Sequence, residues 1–259
     1  MTSKWIRDAS LIFGRAARHS LRDPAFAYAL PTVLPLALVV IVSQVFSASV
    51  RLPGYGVHHL IEFIAPGIVF VAAMMGGGFT ATLVVTDAAS GYLDRLRMLP
   101  VSNSAILAGS LAFEAARVVP ISLILISASA ALGAHSGSFL AIAVVLVLAM
   151  AWSAAWNGVF LVAALRTRST EAVQALVPLF LPFMMTSSLF VPRGLMPAYI
   201  QAIARRNPLD VLIDAVRPLV LHGTIGAGRI AVATTTIAGI LALTWVIGAH
   251  LFTAMTTAD

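Results

Sequence analysis

Five stretches of this chain, 24–50, 63–86, 118–165, 172–192 and 230–258, contain no Asp, Glu, Lys or Arg. A helix needs about 20 apolar residues to cross roughly 30 Å of hydrocarbon, and each stretch is at least that long. Runs of this kind are hard to place in a water-soluble core. With 60% hydrophobic and 10% charged residues, against about a quarter charged in soluble domains, the chain reads as an all-α polytopic membrane protein.

The run 118–165 is too long for one span, and Gly133, Ser136, Gly137 and Ser138 mark a turn inside it. Its first half extends back to about residue 104, across Glu114 and Arg117. Six spans follow, at about 27–49, 61–86, 104–132, 138–164, 172–191 and 229–252. Basic residues in short loops set orientation. With the N-terminus inside, the inner segments hold Lys4, Arg7, Arg15, Arg18, Arg22, Arg95, Arg97, Arg166 and Arg168. The outer segments hold Arg51, Arg193, Arg205, Arg206, Arg217 and Arg229. That bias places both termini in the cytoplasm, and the long basic start reads as an uncleaved anchor.

Three segments are not simple spans. Residues 4–23 form an amphipathic helix, with Lys4, Arg7, Asp8, Arg15, Arg18 and Arg22 on one face. Trp5, Ala9, Ile12, Phe13 and Ala16 lie opposite, Leu11 is the misfit, and Asp23-Pro24 ends the helix. It serves either as a topology signal or as an elbow that sets the angle of the first span. Residues 87–103 form the longest inner loop. Tyr92, Leu93, Leu96 and Leu99 recur there at helical spacing, interleaved with Asp94, Arg95 and Arg97, and Pro100 stops the run. Lipid headgroups or a docked partner would cover that apolar side. Residues 192–228 are punctuated by Pro192, Pro197, Pro208 and Pro218. Ala198–Arg206 and Leu209–Leu221 are helical in pattern, and Asp210, Asp214 and Arg217 share a face, Asp214 and Arg217 as an i,i+3 pair.

Within the spans, Glu114 and Arg117 lie three apart and so share a helix face. Such groups are costly in a membrane. They read as a neutralising pair that fixes packing, or as a polar cavity lining or relay. Gly76-Gly77-Gly78 allows close packing or a hinge, and Pro178 and Pro182 would kink the fifth span. Asn157, Gln174, Ser187 and Ser188 are candidate cavity polar groups.

The residues Gly91-Tyr92-Leu93-Asp94-Arg95-Leu96-Arg97-Met98-Leu99-Pro100-Val101-Ser102 and the stretch Pro192…Met196-Pro197…Asn207-Pro208-Leu209…Asp214-Ala215-Val216-Arg217 resemble two motifs of one family. It is the permease subunit of type-2 ABC exporters, the daunorubicin-resistance-like group. The first looks like that family's coupling helix and the second like its outer hairpin. The resemblance covers essentially the whole chain, as a single transmembrane domain over 1–259. It implies two permease subunits, identical or related, and a separate ATP-binding subunit docked under each coupling helix. ATP and Mg would sit on that partner, and this chain would bind no cofactor. Leu93, Arg95, Leu96, Arg97, Leu99 and Pro100 would meet the partner, and Asn207, Asp214 and Arg217 belong to the outer hairpin. The Glu114-Ala115-Ala116 tripeptide matches an importer motif by chance, since it lies within a span rather than in a cytoplasmic loop.

The leading expectation is export of an amphipathic drug, lipid or lipid-linked cargo across a bacterial cytoplasmic membrane, with lipid as surroundings and no nucleic acid partner. The only Lys is Lys4, so the chain has no phosphate loop of the G-x-x-x-x-G-K-[ST] kind. A proton-coupled secondary exporter is the alternative, with Glu114, and at the span edge Glu62, as its few titratable groups. An enzyme is disfavoured. The six His are scattered, with His58-His59 at most a weak metal site, and no Cys is present. No nucleophile, base and orienter can be assembled.

Overall fold

The computed structural model describes residues 2–48, 55–90, 103–134 and 137–256. All regular structure among them is helical. Helix α1 is Thr2–Arg22, and a π-helical turn, Ala25–Ala29, leads into α2, Leu30–Val45. Next come α3, Leu60–Met75; α4, Phe79–Ala89; α5, Asn103–Ala131; and α6, Phe139–Thr167. The shorter α7, Thr170–Leu176, and α8, Phe180–Met185, flank a 3₁₀ turn. The hairpin holds α9, Ala198–Ala204, and α10, Pro208–His222, and α11 is Ala227–Thr256.

Five helical stretches are long and apolar enough to cross a membrane: Ala25–Val45, Leu60–Asp87, Ser104–Ala131, Phe139–Thr167 and Ala227–Leu251. They fall on five of the expected spans. The remaining expectation, 172–191, is corrected by the structure: the helical run is Thr170–Met185. Its sixteen residues measure about 24 Å, short of a full hydrocarbon crossing. The proline rings at 178 and 182 withhold two backbone donors. Beyond Met185 the chain leaves the helix, because protein groups satisfy its backbone there: Asp210 Oδ1 accepts from Ser188 N at 2.5 Å. Absence of charge permits a helix but does not require one, and irregular backbone is tolerated where protein covers it.

The Leu60–Asp87 stretch is the centre of the bundle, with 89% of its most apolar window buried, against 28% for Ala25–Val45 and 17% for Ala227–Leu251. It packs against α2, α5, α6 and α10. The peripheral helices expose Val33, Leu34 and Ile41 on α2 and Val232, Leu243 and Val246 on α11, the surface expected of helices that meet lipid.

Helix α1 lies against α5. Phe13 meets Phe113 edge-on with ring centroids 5.9 Å apart, Trp5 Nε1 donates to Ser104 Oγ at 3.0 Å, and Leu11, the misfit of the pattern, is exposed. Gly109 is the contact point: a Cβ there would come within 2.5 Å of the Ala9 carbonyl. Gly109→Val is therefore expected to pry α1 off α5. Because the chain lacks Cys, a single Cys at Ile12 reports this directly, going from protected to thiol-reactive.

Candidate functional site at the broken second helix

Gly76-Gly77-Gly78 divides the second span into α3 and α4. Gly78 has φ +92°, a conformation that costs an L-residue about 1–2 kcal/mol. A Cβ on Gly76 would lie 2.6 Å from Arg117 Nη2, and one on Gly77 would lie 2.7 Å from Phe160. The triplet thus breaks the helix and lets neighbours approach closely, the packing use expected of it. With α3 about 24 Å long and α4 about 16 Å, the break is deep within the bundle. Gly78→Ala is expected to lower stability by about 1–2 kcal/mol, read as a fall in thermal midpoint in detergent.

A break at that depth leaves backbone groups without water, and each needs a partner. Four side chains supply them. Arg117 Nη2 donates to Gly76 O at 2.6 Å. Trp156 Nε1 donates to Met74 O at 3.1 Å. Asn157 Oδ1 accepts from Gly78 N at 3.2 Å. Glu114 Oε1 accepts from Thr80 N at 3.1 Å and from Thr80 Oγ1 at 2.7 Å. The anchors are tied in turn, since Ser153 Oγ donates to Glu114 O at 3.0 Å and Asn157 Nδ2 donates to Ser153 O at 2.9 Å.

Glu114 and Arg117 pair as their spacing requires. Arg117 Nε donates to Glu114 Oε2 at 3.0 Å, with a second bond from Nη2, and both residues are buried. Their arrangement matches the two half-helices. The carboxylate caps the N-terminal end of α4, where the helix dipole is positive. The guanidinium meets the C-terminal end of α3, where the dipole is negative. Arg117 also reaches the first span, donating from Nη1 to Ala27 O at 2.6 Å. Pro31 explains that opening: it has no N–H to offer the carbonyl four residues before it. One cation thereby ties the first, second and third spans together.

Asn157 sits buried at this joint with both amide groups used within the chain. Gln174 is exposed and 3.4 Å from Thr82 Oγ1. The six loop residues Leu93, Arg95, Leu96, Arg97, Leu99 and Pro100 lie outside the described residues. The segment just before them is held: Arg15 of α1 forms a two-pronged ion pair with Asp87 near the end of α4.

A second polar cluster holds the hairpin. Asn207 caps α10, its Oδ1 accepting from Leu209 N at 2.9 Å, and its Nδ2 donates to Phe183 O at 2.6 Å. Asp210 is fully buried and joins Ser188 N to Arg193 Nε, each at 2.5 Å. Arg217 differs from its expected i,i+3 partnership with Asp214. It donates to Ser188 O at 2.6 Å and Phe63 O at 3.2 Å, and its guanidinium lies 3.6 Å from the centre of the Phe63 ring. Asp214 instead faces Arg193 at 3.7 Å and Arg229 at 3.9 Å. Burial pulls the Arg217 pKa down while Asp210 and Asp214 raise it; a guanidinium stays charged in proteins, so this is a caged cation. Ser187 and Ser188 are buried in the same cluster, and Ser188 lines the cleft that adjoins it. A cleft of about 420 Å³ opens beside it, lined by Tyr55, Phe63, Arg193, Asp214, Arg217 and His222.

A family model described as ABC-2 type transporter matches residues 8–221, from α1 to the end of the hairpin. The chain belongs to this family. It is 30% identical over 187 residues to the daunorubicin resistance ABC transporter permease protein of Streptomyces coeruleorubidus, a match covering 71% of this chain and 65% of that relative. As a family member the chain is a membrane component of a transporter. The joint lies within the matched region, together with most of α1 and most of the hairpin.

Sequence spacing found the Glu114–Arg117 pair and flagged the glycines. It missed Thr80, Trp156, Arg193 and the Arg15–Asp87 pair. A polar residue isolated in an apolar run is the one signal that could have marked Thr80 and Trp156, and it does not name their partners.

Proposed function

We propose that this chain is the permease subunit of an ATP-driven exporter of amphipathic molecules: a drug, a lipid or a lipid-linked cargo. A separate ATP-binding subunit holds ATP and Mg and docks on the coupling loop, 87–103, through Leu93, Arg95, Leu96, Arg97, Leu99 and Pro100. Two permease subunits, identical or related, enclose the path. The chain forms one transmembrane domain in the bacterial cytoplasmic membrane, with α1 as an elbow helix, six membrane-embedded helical segments and both termini in the cytoplasm. Membership in the ABC-2 family carries this reading, and the name of the relative favours a drug-like cargo.

The geometry supplies a route for the motion. Helix α4 runs from the glycine joint to the start of the coupling loop, and Arg15 clamps its far end to α1. Force from the ATP-binding subunit would reach α4 and α1 together. It would bend the second span at residues 76–78, where the dipoles of α3 and α4 are already separated. The proton-coupled alternative loses support from the same joint, because both Glu114 oxygens are engaged by Thr80 and Arg117.

Affinity purification from native membranes with mass spectrometry tests the docking. The expected result is a soluble chain bearing a phosphate-loop lysine that is recovered with the wild type and lost with Leu96→Asp, while the variant still inserts. Equal recovery with both would contradict docking through this face.

A further inference from the structure

We propose that the cleft between α8, α9 and the start of α10 holds an anionic phospholipid, its acyl chain against Phe183 and Ile203 and its phosphate at Arg206. This goes beyond the pumping reading and rests only on the chain being embedded in a bilayer. The cleft measures about 440 Å³ and is lined mainly by apolar groups, with Thr186, Arg206 and Asn207 as its polar ones; Asn207 and Thr186 bond to each other, which leaves Arg206 as the charged group. Small-ligand sites span about 300–1,000 Å³.

Three observations choose the occupant. Ile203 on the wall of the cleft is exposed, as are Leu181 and Met185 on α8 and Tyr199 on α9. This apolar surface on the two helices that border the cleft favours hydrocarbon over water. The Thr170–Met185 run, about 24 Å long, ends a few ångström short of the far edge of the roughly 30 Å hydrocarbon layer, and the residues after Met185 carry the chain on to the hairpin at the level of the headgroups. Tyr199 has the amphipathic ring that settles at that level. Finally, Arg205 and Arg206 are exposed, and the nearby acids are committed elsewhere. Asp210 holds Ser188 and Arg193, and Asp214 faces Arg193 and Arg229. Among the described residues no acid pairs with Arg205 or Arg206, and two such cations beside an apolar slot match a headgroup that carries phosphate above an acyl chain.

The chain has no Cys, so a fluorophore on Tyr199→Cys reports only this place. The labelled full chain is reconstituted in vesicles of phosphatidylcholine, with increasing fractions of chain-brominated phosphatidylglycerol or chain-brominated phosphatidylcholine as quencher. Half-quenching is expected at about fivefold lower mole fraction of the phosphatidylglycerol. The two curves should merge when Arg205→Gln and Arg206→Gln are combined. Identical curves in the parent protein overturn the proposal, as does a preference that survives the double substitution. Absence of quenching by either lipid also overturns it, since water or a second copy of the chain then covers the cleft.

Discussion

Arg117→Leu is expected to be the most damaging single change in the bundle, costing about 3–5 kcal/mol, the range for removing one partner of a buried ion pair. It strands the Glu114 carboxylate and leaves the carbonyls of Ala27 and Gly76 without their side-chain donor. The thermal midpoint in detergent should fall steeply, and the yield of folded protein with it. The control is a set of changes at position 114. Glu114→Gln keeps an acceptor for Thr80 and should cost less than Glu114→Ala. The double change Glu114→Leu with Arg117→Leu should recover part of the loss by removing the stranded charge. It should not recover all of it, because each carbonyl left unpaired in the interior still costs about 1–3 kcal/mol. Full recovery would mean that the pair only neutralises itself and does not hold the joint.

The second large effect is expected at Asp210. Asp210→Ala removes the acceptor of Ser188 N and leaves Arg193 without its closest partner, in a place where Asp210 itself is fully buried. An unsatisfied buried N–H and a lost charge-assisted bond together cost about 2–4 kcal/mol. The change should loosen the hairpin from the end of α8 and leave the glycine joint intact. Protease cleavage between residues 192 and 207 is the readout that separates the two, and it should appear in Asp210→Ala but not in Arg117→Leu at a temperature where both remain folded. Asp210→Asn, which keeps one acceptor oxygen, should lie between the parent and Asp210→Ala.

These effects divide along the line between what the sequence shows and what it hides. The apolar runs, one of them extended back across Glu114 and Arg117 and divided at Gly133–Ser138, locate five long helical stretches to within a few residues, because the membrane demands length and apolarity and both are written locally. The amphipathic start is equally legible, down to Leu11 as the residue that points the wrong way. Glu114 and Arg117 share a face by spacing alone. Their partners do not: Gly76 and Thr80 are on another helix, and Ala27 is 90 residues away from Arg117. The same holds for Arg15 and Asp87, separated by 72 residues. Asn157 illustrates the consequence. A polar residue in an apolar span looks like part of a water-filled path until the backbone break that it caps is seen across the bundle.

The end of the fifth helical segment was hidden for a different reason. The charge-free run continues to residue 192, and nothing local says that Ser187 and Ser188 leave the helix. The chain does so because Asp210 and Arg217, in the hairpin, satisfy the backbone of Ser188. Arg217 belongs to the same case. Its spacing from Asp214 is right for a pair, but three buried carbonyls and the Phe63 ring compete for the guanidinium and win it.

On the proposed function, ATP hydrolysis by a partner drives movement through this permease. Inside-out vesicles from cells expressing the chain with its ATP-binding subunit test it most directly, with uptake of a panel of fluorescent amphipathic compounds followed over time. Uptake is expected to start on addition of ATP, stop with vanadate, persist when the pH gradient is dissipated, and be lost with Leu96→Asp. Uptake that needs this chain, proceeds at full rate without ATP and collapses with the pH gradient would contradict it.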